Sequence, residues 1–448
     1  MSSAVYLTLN SVGLLFCIGL LLYWLQRAGS AAIVIQPMTA FSASFGMIHF
    51  FMPIFKYLTG SYRYPATYSD IVLIYNATTA LFVFAIMALC VRNPGAGFSA
   101  AVFGNRQAGA GLAFFTGLIV TGAGCLAMLQ VQRAIGFIGF DVFRSDRILI
   151  ASQIGIFTRI DTIILPGLAL MFAGLLNLGR RYFLGWFAMI GATLYAAKYF
   201  ATIQSRNSIL LMFLIMLSVF VFYRSRPMQF SGRGLRTWII LMIALFSIGW
   251  FGYLTTVDRF AAVDSWYAQA ALDNLLFTLL DGPFGNDENL LWLLEYGHPL
   301  YWGQTYLAGL SNLIPRDIWP DKPWGAGPEI RNLIYPGSYV LGAEGNSSIT
   351  TGFLTEARMN LGLPGILLVA AFWVWGVRRL VRSLLRVRTV FAQALLIMTI
   401  CFMTTAFVYS EFLGFFSRLT VCLVVPSFIY WCMAVALGRS QQRRRQHV

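Results

Sequence analysis

The sequence has few charged residues. Only 11% of its 448 residues are Asp, Glu, Lys or Arg, whereas 58% are hydrophobic and the mean hydropathy is +0.71. Soluble domains contain about 25% charged residues, so the composition excludes an ordinary soluble domain and predicts an integral membrane protein. The first apolar run lacks a preceding basic segment and a small-residue cleavage site, and we expect it to be a retained span rather than a signal peptide.

The motifs of several common enzyme classes are also missing. The chain has no GxxxxGK[ST], HExxH, GxSxG or CxxC sequence, which leaves ATP hydrolysis and the usual protease and hydrolase chemistries without support. All six cysteines lie in apolar runs, and the three histidines lack metal-ligand spacing. We therefore predict no disulfide framework, no metal site and no cofactor.

Long apolar runs recur along the chain. A transmembrane helix needs about 20 apolar residues to cross the hydrocarbon core of a bilayer. By this measure we predict about eleven transmembrane helices in an all-α polytopic membrane protein. Their residues are 4–26, 31–55, 70–91, 109–131, 160–178, 182–200, 205–223, 236–256, 357–377, 389–409 and 416–437.

Acidic residues are absent from the segments richest in arginine. These segments are 92–106, 180–181, 224–236, 378–388 and the tail after residue 438. Because positively charged loops stay in the cytoplasm, we predict a multi-pass protein of the bacterial inner membrane with a periplasmic N-terminus and a cytoplasmic C-terminus. The net charge of +15 is then a topology signal, and we expect no nucleic acid partner.

This topology divides the chain into three parts. Residues 1–256 form transmembrane helices 1–8, residues 257–356 form one large periplasmic loop, and residues 357–448 form helices 9–11 and the basic cytoplasmic tail. A connection of this length in a compact protein is usually functional. Within it, the apolar spacing of residues 265–297, interrupted by a DGPFGND turn, predicts amphipathic helices on the membrane surface.

The stretch NLIPRDIWPDKPWG (312–325) is rich in proline, tryptophan and charge. Arg316 offers a planar fork suited to phosphate oxygens, and Lys322 offers a point charge. Aromatic faces in the loop, including those of Tyr306 and Trp319, can pack on sugar rings. The alternative is an interfacial aromatic belt in which Arg–Asp pairs hold the shape of the loop.

Ionisable residues also lie at the predicted outer ends of spans. Glu356 and Arg358 are two residues apart, so they point to different sides of a helix and each needs its own partner; the alternative is a helix cap with an interfacial ion pair. Arg206 has no acid within a helical turn, which favours an anionic ligand over a distant acid. Arg418 either pairs with Glu411 or joins such a site.

The histidines and the second outer loop are weaker candidates. His298 lies among aromatic residues of the large loop and is a candidate base, whereas His49, in an apolar helix, is better explained as a packing residue. Arg144 and Arg147 more simply form a headgroup-facing patch. Outward arginines, a candidate base and no metal motif suit a lipid diphosphate, because this substrate carries its own leaving group and arginines can stabilise its departure.

Two segments carry a family resemblance. GQTYLAGLSNLIPRDIWPDKP (303–323) resembles the yG.ty…fiPR.lWp.KP segment of bacterial oligosaccharide repeat-unit polymerases, the O-antigen polymerase (Wzy) type. SSITTGFLTEARMNLGLPG (347–365) is similar to the sSit…gE.y.N.G..G segment of that family, and SRNSILL (205–211) is similar to the start of the span that carries its other characteristic arginine. The specific motifs cover about fifty residues.

The resemblance implies a GT-C-like glycosyltransferase that joins undecaprenyl-diphosphate-linked oligosaccharide units at the periplasmic face, without a metal. It assigns functional roles to Arg206, Arg316, Lys322, Glu356 and Arg358. Many relatives place a histidine before the G-x-x-G segment, but NSSITTG stands there in this chain, so Glu356 and His298 remain the candidate bases. A chain-length regulator and a flippase stay open as protein partners.

Two alternative functions stay open as well. One is an O-antigen ligase-type transfer of finished glycan to another acceptor. The other is a flippase or transporter of the lipid-linked oligosaccharide, which is less favoured because the ionisable residues cluster in the predicted outer half of the membrane.

Overall fold

The computed structural model of the chain describes residues 2–28, 32–64, 66–91, 109–135, 160–179, 182–203, 205–223, 284–312, 314, 318–340 and 348–446. The predicted eighth span, the predicted patch at Arg144 and Arg147, and Arg316 lie outside these residues. So does the part of the predicted surface helices before residue 284.

The described residues form helices joined by loops. The helices are α1 (Ser2–Ala28), α2 (Ala32–Ile35), α3 (Pro37–Gly46), α4 (Met52–Thr59), α5 (Asp70–Cys90), α6 (Ala110–Ile135), α7 (Ile164–Leu178), α8 (Phe183–Thr202), α9 (Arg206–Tyr223), α10 (Asp287–Tyr296), α11 (Gln304–Ser311), α12 (Ala326–Ile334), α13 (Phe353–Arg386), α14 (Val390–Cys401), α15 (Phe407–Tyr409) and α16 (Phe412–Gln446). Short π-helical turns at Met47–Phe51 and Phe402–Ala406 continue α3 into α4 and α14 into α15, and a 3₁₀ turn at Asp161–Ile163 precedes α7.

The described helices confirm an all-helical polytopic membrane protein. Eight helical stretches in this part of the chain are long and apolar enough to cross a membrane. They are Ser2–Ala28, Pro37–Thr59, Asp70–Cys90, Ala110–Ala134, Asp161–Leu178, Phe353–Arg386, Val390–Tyr409 and Phe412–Leu437. The predicted spans 182–200 and 205–223 coincide with helices α8 and α9, of which α9 contains a shorter apolar stretch, Asn207–Tyr223.

Helices α6 and α7 pack backbone against backbone. An ideal Cβ on Gly117 would lie 2.5 Å from the Met171 nitrogen, and one on Gly167 would lie 2.7 Å from the Thr121 nitrogen. Such distances leave no room for any side chain, so glycine is required on both helices for this close approach. The contact fixes the position of these two helices relative to each other.

The start of helix α10 is anchored by a buried lysine. The Lys56 ammonium, at 0% exposure, donates to Asp287 Oδ1 at 3.1 Å, to Glu288 Oε2 at 3.0 Å and to the Gly285 carbonyl at 2.9 Å. Glu288 also accepts the backbone N–H groups of Arg63 and Tyr64, each at 2.8 Å. A buried charge is tolerated only when it is paired and hydrogen-bonded in this way.

The prediction of a surface helix is therefore wrong for residues 287–296. Helix α10 buries Asp287, Glu288, Asn289, Leu290, Leu291 and Leu293 among the spans. The reason is that Lys56, at the end of α4, supplies a counter-charge within the protein for the acids that the sequence pattern would place in water. Helix α10 is thus packed on the helical bundle through its first half.

Candidate functional site

Helix α13 is broken close to its N-terminal end. Gly362 has φ +67° and ψ −150°, a conformation reserved for glycine, and Pro364 follows without an N–H group. In a continuous helix the Met359 carbonyl would accept from the N–H of residue 363, whereas the Asn360 carbonyl would lack a donor because residue 364 is proline. At the break both carbonyls are available to other partners.

The loop before helix α11 fills these free positions. The Tyr301 N–H donates to the Met359 carbonyl and the Trp302 N–H donates to the Asn360 carbonyl, each at 3.0 Å. Trp302 adopts φ +50°, the only positive φ of a non-glycine residue in the described part of the chain. Strain of this kind persists where the surroundings fix the backbone, and it concentrates at functional sites. The segment HPLYWG is thereby bound to the broken helix end.

This docking places His298 beside Arg358. His298 Nδ1 lies 2.8 Å from the Pro299 carbonyl oxygen. Because a carbonyl only accepts, Nδ1 carries the proton of the neutral ring and Nε2 keeps its lone pair. Partial burial and the Arg358 charge both lower the pKa of His298, against the bond to Pro299. His298 is consequently neutral near pH 7 and its Nε2 can accept a proton.

Arg358 makes no ion pair with any described residue. Glu356 and Arg358 point apart, as expected, because the Glu356 carboxylate accepts from the Thr305 hydroxyl and the Phe412 N–H instead. A half-buried guanidinium that has no acidic partner among the described residues and lies next to a neutral histidine is suited to an incoming anion.

Glu356 holds three elements together. It is 1% exposed; its Oε1 accepts from the Thr305 hydroxyl at 2.7 Å and its Oε2 from the Phe412 N–H at 2.5 Å. The Asn360 amide donates to the same Thr305 hydroxyl at 2.7 Å. Glu356 therefore caps the N-terminus of α16 and fixes α11, as a carboxylate at a helix N-terminus should. Both of its oxygens are occupied by protein donors in this structure.

A second glutamate caps a second helix. Glu411 Oε2 accepts the Gly327 N–H at 2.6 Å, in the first turn of α12. Burial raises the pKa of Glu411, whereas the Gly327 bond and the charge of Arg418 lower it. Arg418 thus lies near Glu411, but it makes no direct ion pair with Glu411 or with another described acid. The exposed Arg418 side chain keeps donors for a ligand.

The other predicted residues are placed differently. Lys322 is 9% exposed and donates to the Ile314 carbonyl at 2.7 Å, so here it holds the loop together. Tyr306 packs edge-on against Phe412 with ring centroids 5.3 Å apart, and Trp319 is half-buried.

Arg206 begins helix α9, but its side chain, like all of Arg316, lies outside what the structure describes. His49 is buried between Phe45 and Phe353, which confirms its packing role.

Several contributing residues were missed from the sequence. They are Lys56, Asp287, Glu288, Tyr301, Trp302, Thr305 and Asn360. The G-L-P-G turn after Asn360 was a usable signal for a broken helix end that needs new partners. Thr305 and Asn360 lie within the two motif segments, but nothing in the sequence indicated that they bond to each other.

An apolar cavity opens beside helix α9. Its volume is about 470 Å³. Apolar side chains of α3, α7 and α9 form most of its wall, and Phe284, Tyr409 and Asn207, the neighbour of Arg206, also line it. A cavity of this kind can take a hydrocarbon chain that enters from the membrane.

Comparison with known proteins supplies no relative. No family model, no curated protein and no solved structure matches the chain. The resemblance to repeat-unit polymerases therefore stays a prediction that depends on its short motifs.

Proposed function

We propose that the protein is a glycosyltransferase that polymerises lipid-diphosphate-linked oligosaccharide repeat units. The observation that carries the proposal is the pairing of His298 with Arg358 at the broken end of α13. A neutral base and a cation that makes no ion pair with a described residue lie together beside exposed aromatic groups such as Trp302, which is 74% exposed. These are the groups that glycosyl transfer from a diphosphate requires.

The proposed chemistry needs one proton acceptor and several cations. The acceptor sugar hydroxyl loses its proton to His298 Nε2 as its oxygen bonds to the anomeric carbon of the donor. The bond between that carbon and the diphosphate breaks, and the diphosphate leaves with the electron pair. Arg358 and Arg418 stabilise the charge on the leaving oxygen. Glu356, with both oxygens engaged, acts as a positioning residue in this scheme.

The remaining predicted groups complete the proposal. Arg206 and Arg316 bind the donor diphosphate, and Tyr306, Trp302 and Trp319 contact sugars. The apolar cavity beside α9 takes part of the donor's polyprenyl chain. The finer topology, eleven spans in a GT-C-like arrangement with the loop in the periplasm of a bacterial inner membrane, belongs to the same proposal.

The test is a polymerisation assay with purified protein. The protein in nanodiscs is incubated with an undecaprenyl-diphosphate-linked repeat unit and EDTA, and the products are separated on a gel. A ladder of increasing length supports a metal-independent polymerase. Unchanged single units from a folded protein would overturn the proposal. In that case, transfer of preformed glycan to a lipid A core would identify a ligase, and movement of the unit across a vesicle membrane would identify a flippase.

A further inference from the structure

A second pocket lies at the other end of helix α13. It has a volume of about 370 Å³ and lies between α5 and α13. Its wall is apolar and is formed by Ile86, Leu367, Ala370, Ala371 and Val374, and its rim carries Arg378, Arg379 and Arg382. We call this the arginine pocket.

The three rim arginines have no acidic partner in the part of the chain that the structure describes. None of them makes an ion pair with a described residue, and the described ion pairs of this chain join Lys56 to Asp287 and Glu288. The arginine-rich segments that share the predicted cytoplasmic side contain no Asp or Glu at all. Within the described residues, their positive charge is therefore accessible to an anionic ligand.

An exposed tryptophan marks the depth of this pocket in the membrane. Trp375 is 63% exposed and lies one turn before Arg378 and Arg379, and the 60% exposed Phe372 is its tilted neighbour. Tryptophan concentrates at the level of the lipid headgroups, and nearby arginines reach the phosphates. Apolar wall, aromatic marker and basic rim follow one another in the order of a phospholipid's tail, glycerol region and headgroup.

We propose that the arginine pocket binds an anionic phospholipid, with an acyl chain along Leu367, Ala371 and Val374 and the phosphate at Arg378, Arg379 and Arg382. Basic pockets between transmembrane helices are suited to anionic headgroups. The site is separate from the proposed catalytic site, because Glu356 and Arg378 lie on the order of 30 Å apart along α13. The inference therefore does not depend on the proposed function.

The test measures bound phosphatidylglycerol directly. Purified protein is exchanged from mixed phosphatidylglycerol and phosphatidylcholine nanodiscs into detergent, and the retained lipid is counted by native mass spectrometry. The variant R378Q/R382Q is compared with R386Q/R388Q, which removes the same charge from exposed residues just beyond the pocket. A third variant, Ala371→Phe, narrows the apolar wall while leaving every arginine in place.

We expect bound phosphatidylglycerol to be lost only from the variants that alter the arginine pocket. R378Q/R382Q should retain on the order of tenfold less phosphatidylglycerol than the wild type, Ala371→Phe should also retain less, and R386Q/R388Q should retain as much as the wild type. Inorganic phosphate should not displace the lipid. If the two double variants lose equal amounts of bound phosphatidylglycerol, the lipid is held by diffuse electrostatic attraction to basic residues, and binding in the arginine pocket is contradicted. Displacement by phosphate would indicate a free-anion site, and full retention by Ala371→Phe would exclude the acyl chain; each outcome contradicts the proposal.

Discussion

The Trp302 N–H donates to the Asn360 carbonyl at 3.0 Å across the break in helix α13. This bond exists because Gly362 turns the chain out of the helix and Pro364 has no N–H to offer. One local irregularity thus binds the loop that carries His298 to the helix that carries Glu356 and Arg358.

Gly362→Ala should weaken both the fold and the proposed activity. Alanine does not tolerate φ +67° with ψ −150°, so a strain of about 1–3 kcal/mol shifts the backbone at the break and weakens the bonds that the Met359 and Asn360 carbonyls accept from Tyr301 and Trp302. We expect a lower melting temperature and at least a tenfold slower formation of polymer. Gly376→Ala is the matched control in the same helix, because its new Cβ would meet only Met403 Cε at 3.7 Å. Equal behaviour of the two variants would contradict the role of the break.

Lys56→Met should destabilise the protein strongly. The variant leaves Asp287 and Glu288 buried without a counter-charge, which costs about 3–5 kcal/mol. Thermal unfolding in detergent should show a large drop in the melting temperature, and the double variant K56M/E288Q should recover part of it because one buried charge is removed. Arg388→Met, at an exposed position, serves as the control. A double variant no more stable than K56M would argue against a coupled buried pair.

The rate of polymer formation should fall on acidification. Burial and the Arg358 charge lower the pKa of His298 below its usual value of about 6.5. His298 therefore stays neutral and active down to a pH below that value and loses activity when it is protonated. In Arg358→Gln the pKa of His298 should rise, so the acidic limb of the pH–rate profile should move to higher pH. A limb at the same pH in both proteins would mean that another group titrates.

Two variants of Glu411 should separate the contribution of its helix cap to stability from the contribution of its charge. Glu411→Ala removes the cap of α12 and should cost about 1 kcal/mol, whereas Glu411→Gln keeps an oxygen for the Gly327 N–H. Because burial raises the pKa of Glu411 in the folded state, ionisation opposes folding, and stability is lost as pH rises from the unfolded pKa of about 4.3 through the folded one. Melting temperatures across this range should vary less in Glu411→Gln than in the wild type. A wild-type melting temperature that rises with pH over this range would place the pKa of Glu411 in the folded protein below its unfolded value.

The spans were predictable from sequence because their signal is local. Runs of apolar residues and the distribution of arginine require no knowledge of tertiary contacts, and predicted spans such as 4–26 and 70–91 coincide with helices α1 and α5. Helix α13 begins at Phe353, four residues before its predicted start, after Gly352 with φ +76°. The start of this helix depends on the backbone angle of Gly352, which the hydropathy of the sequence does not predict.

The site was only partly predictable because its partners come from distant positions. Glu356 was a candidate on account of its charge, but its bonds to Thr305 and to the Phe412 N–H bridge 51 and 56 residues. Lys56 reaches Asp287 across 231 residues. Because the sequence does not show this distant partner, its pattern predicts α10 on the membrane surface. Residue type indicated which side chains need a partner, whereas only the fold shows which partner each one has.

The rate of polymer formation by His298→Asn shows directly whether His298 is the base. The asparagine amide can keep the bond to the Pro299 carbonyl, so the loop stays in place, but it has no basic nitrogen where Nε2 was. Loss of a general base typically costs about 10²–10⁴-fold in rate. We predict a loss of this size in a protein that melts like the wild type and still binds the lipid-linked unit. A ladder formed at the wild-type rate would contradict the assignment of His298 as the base.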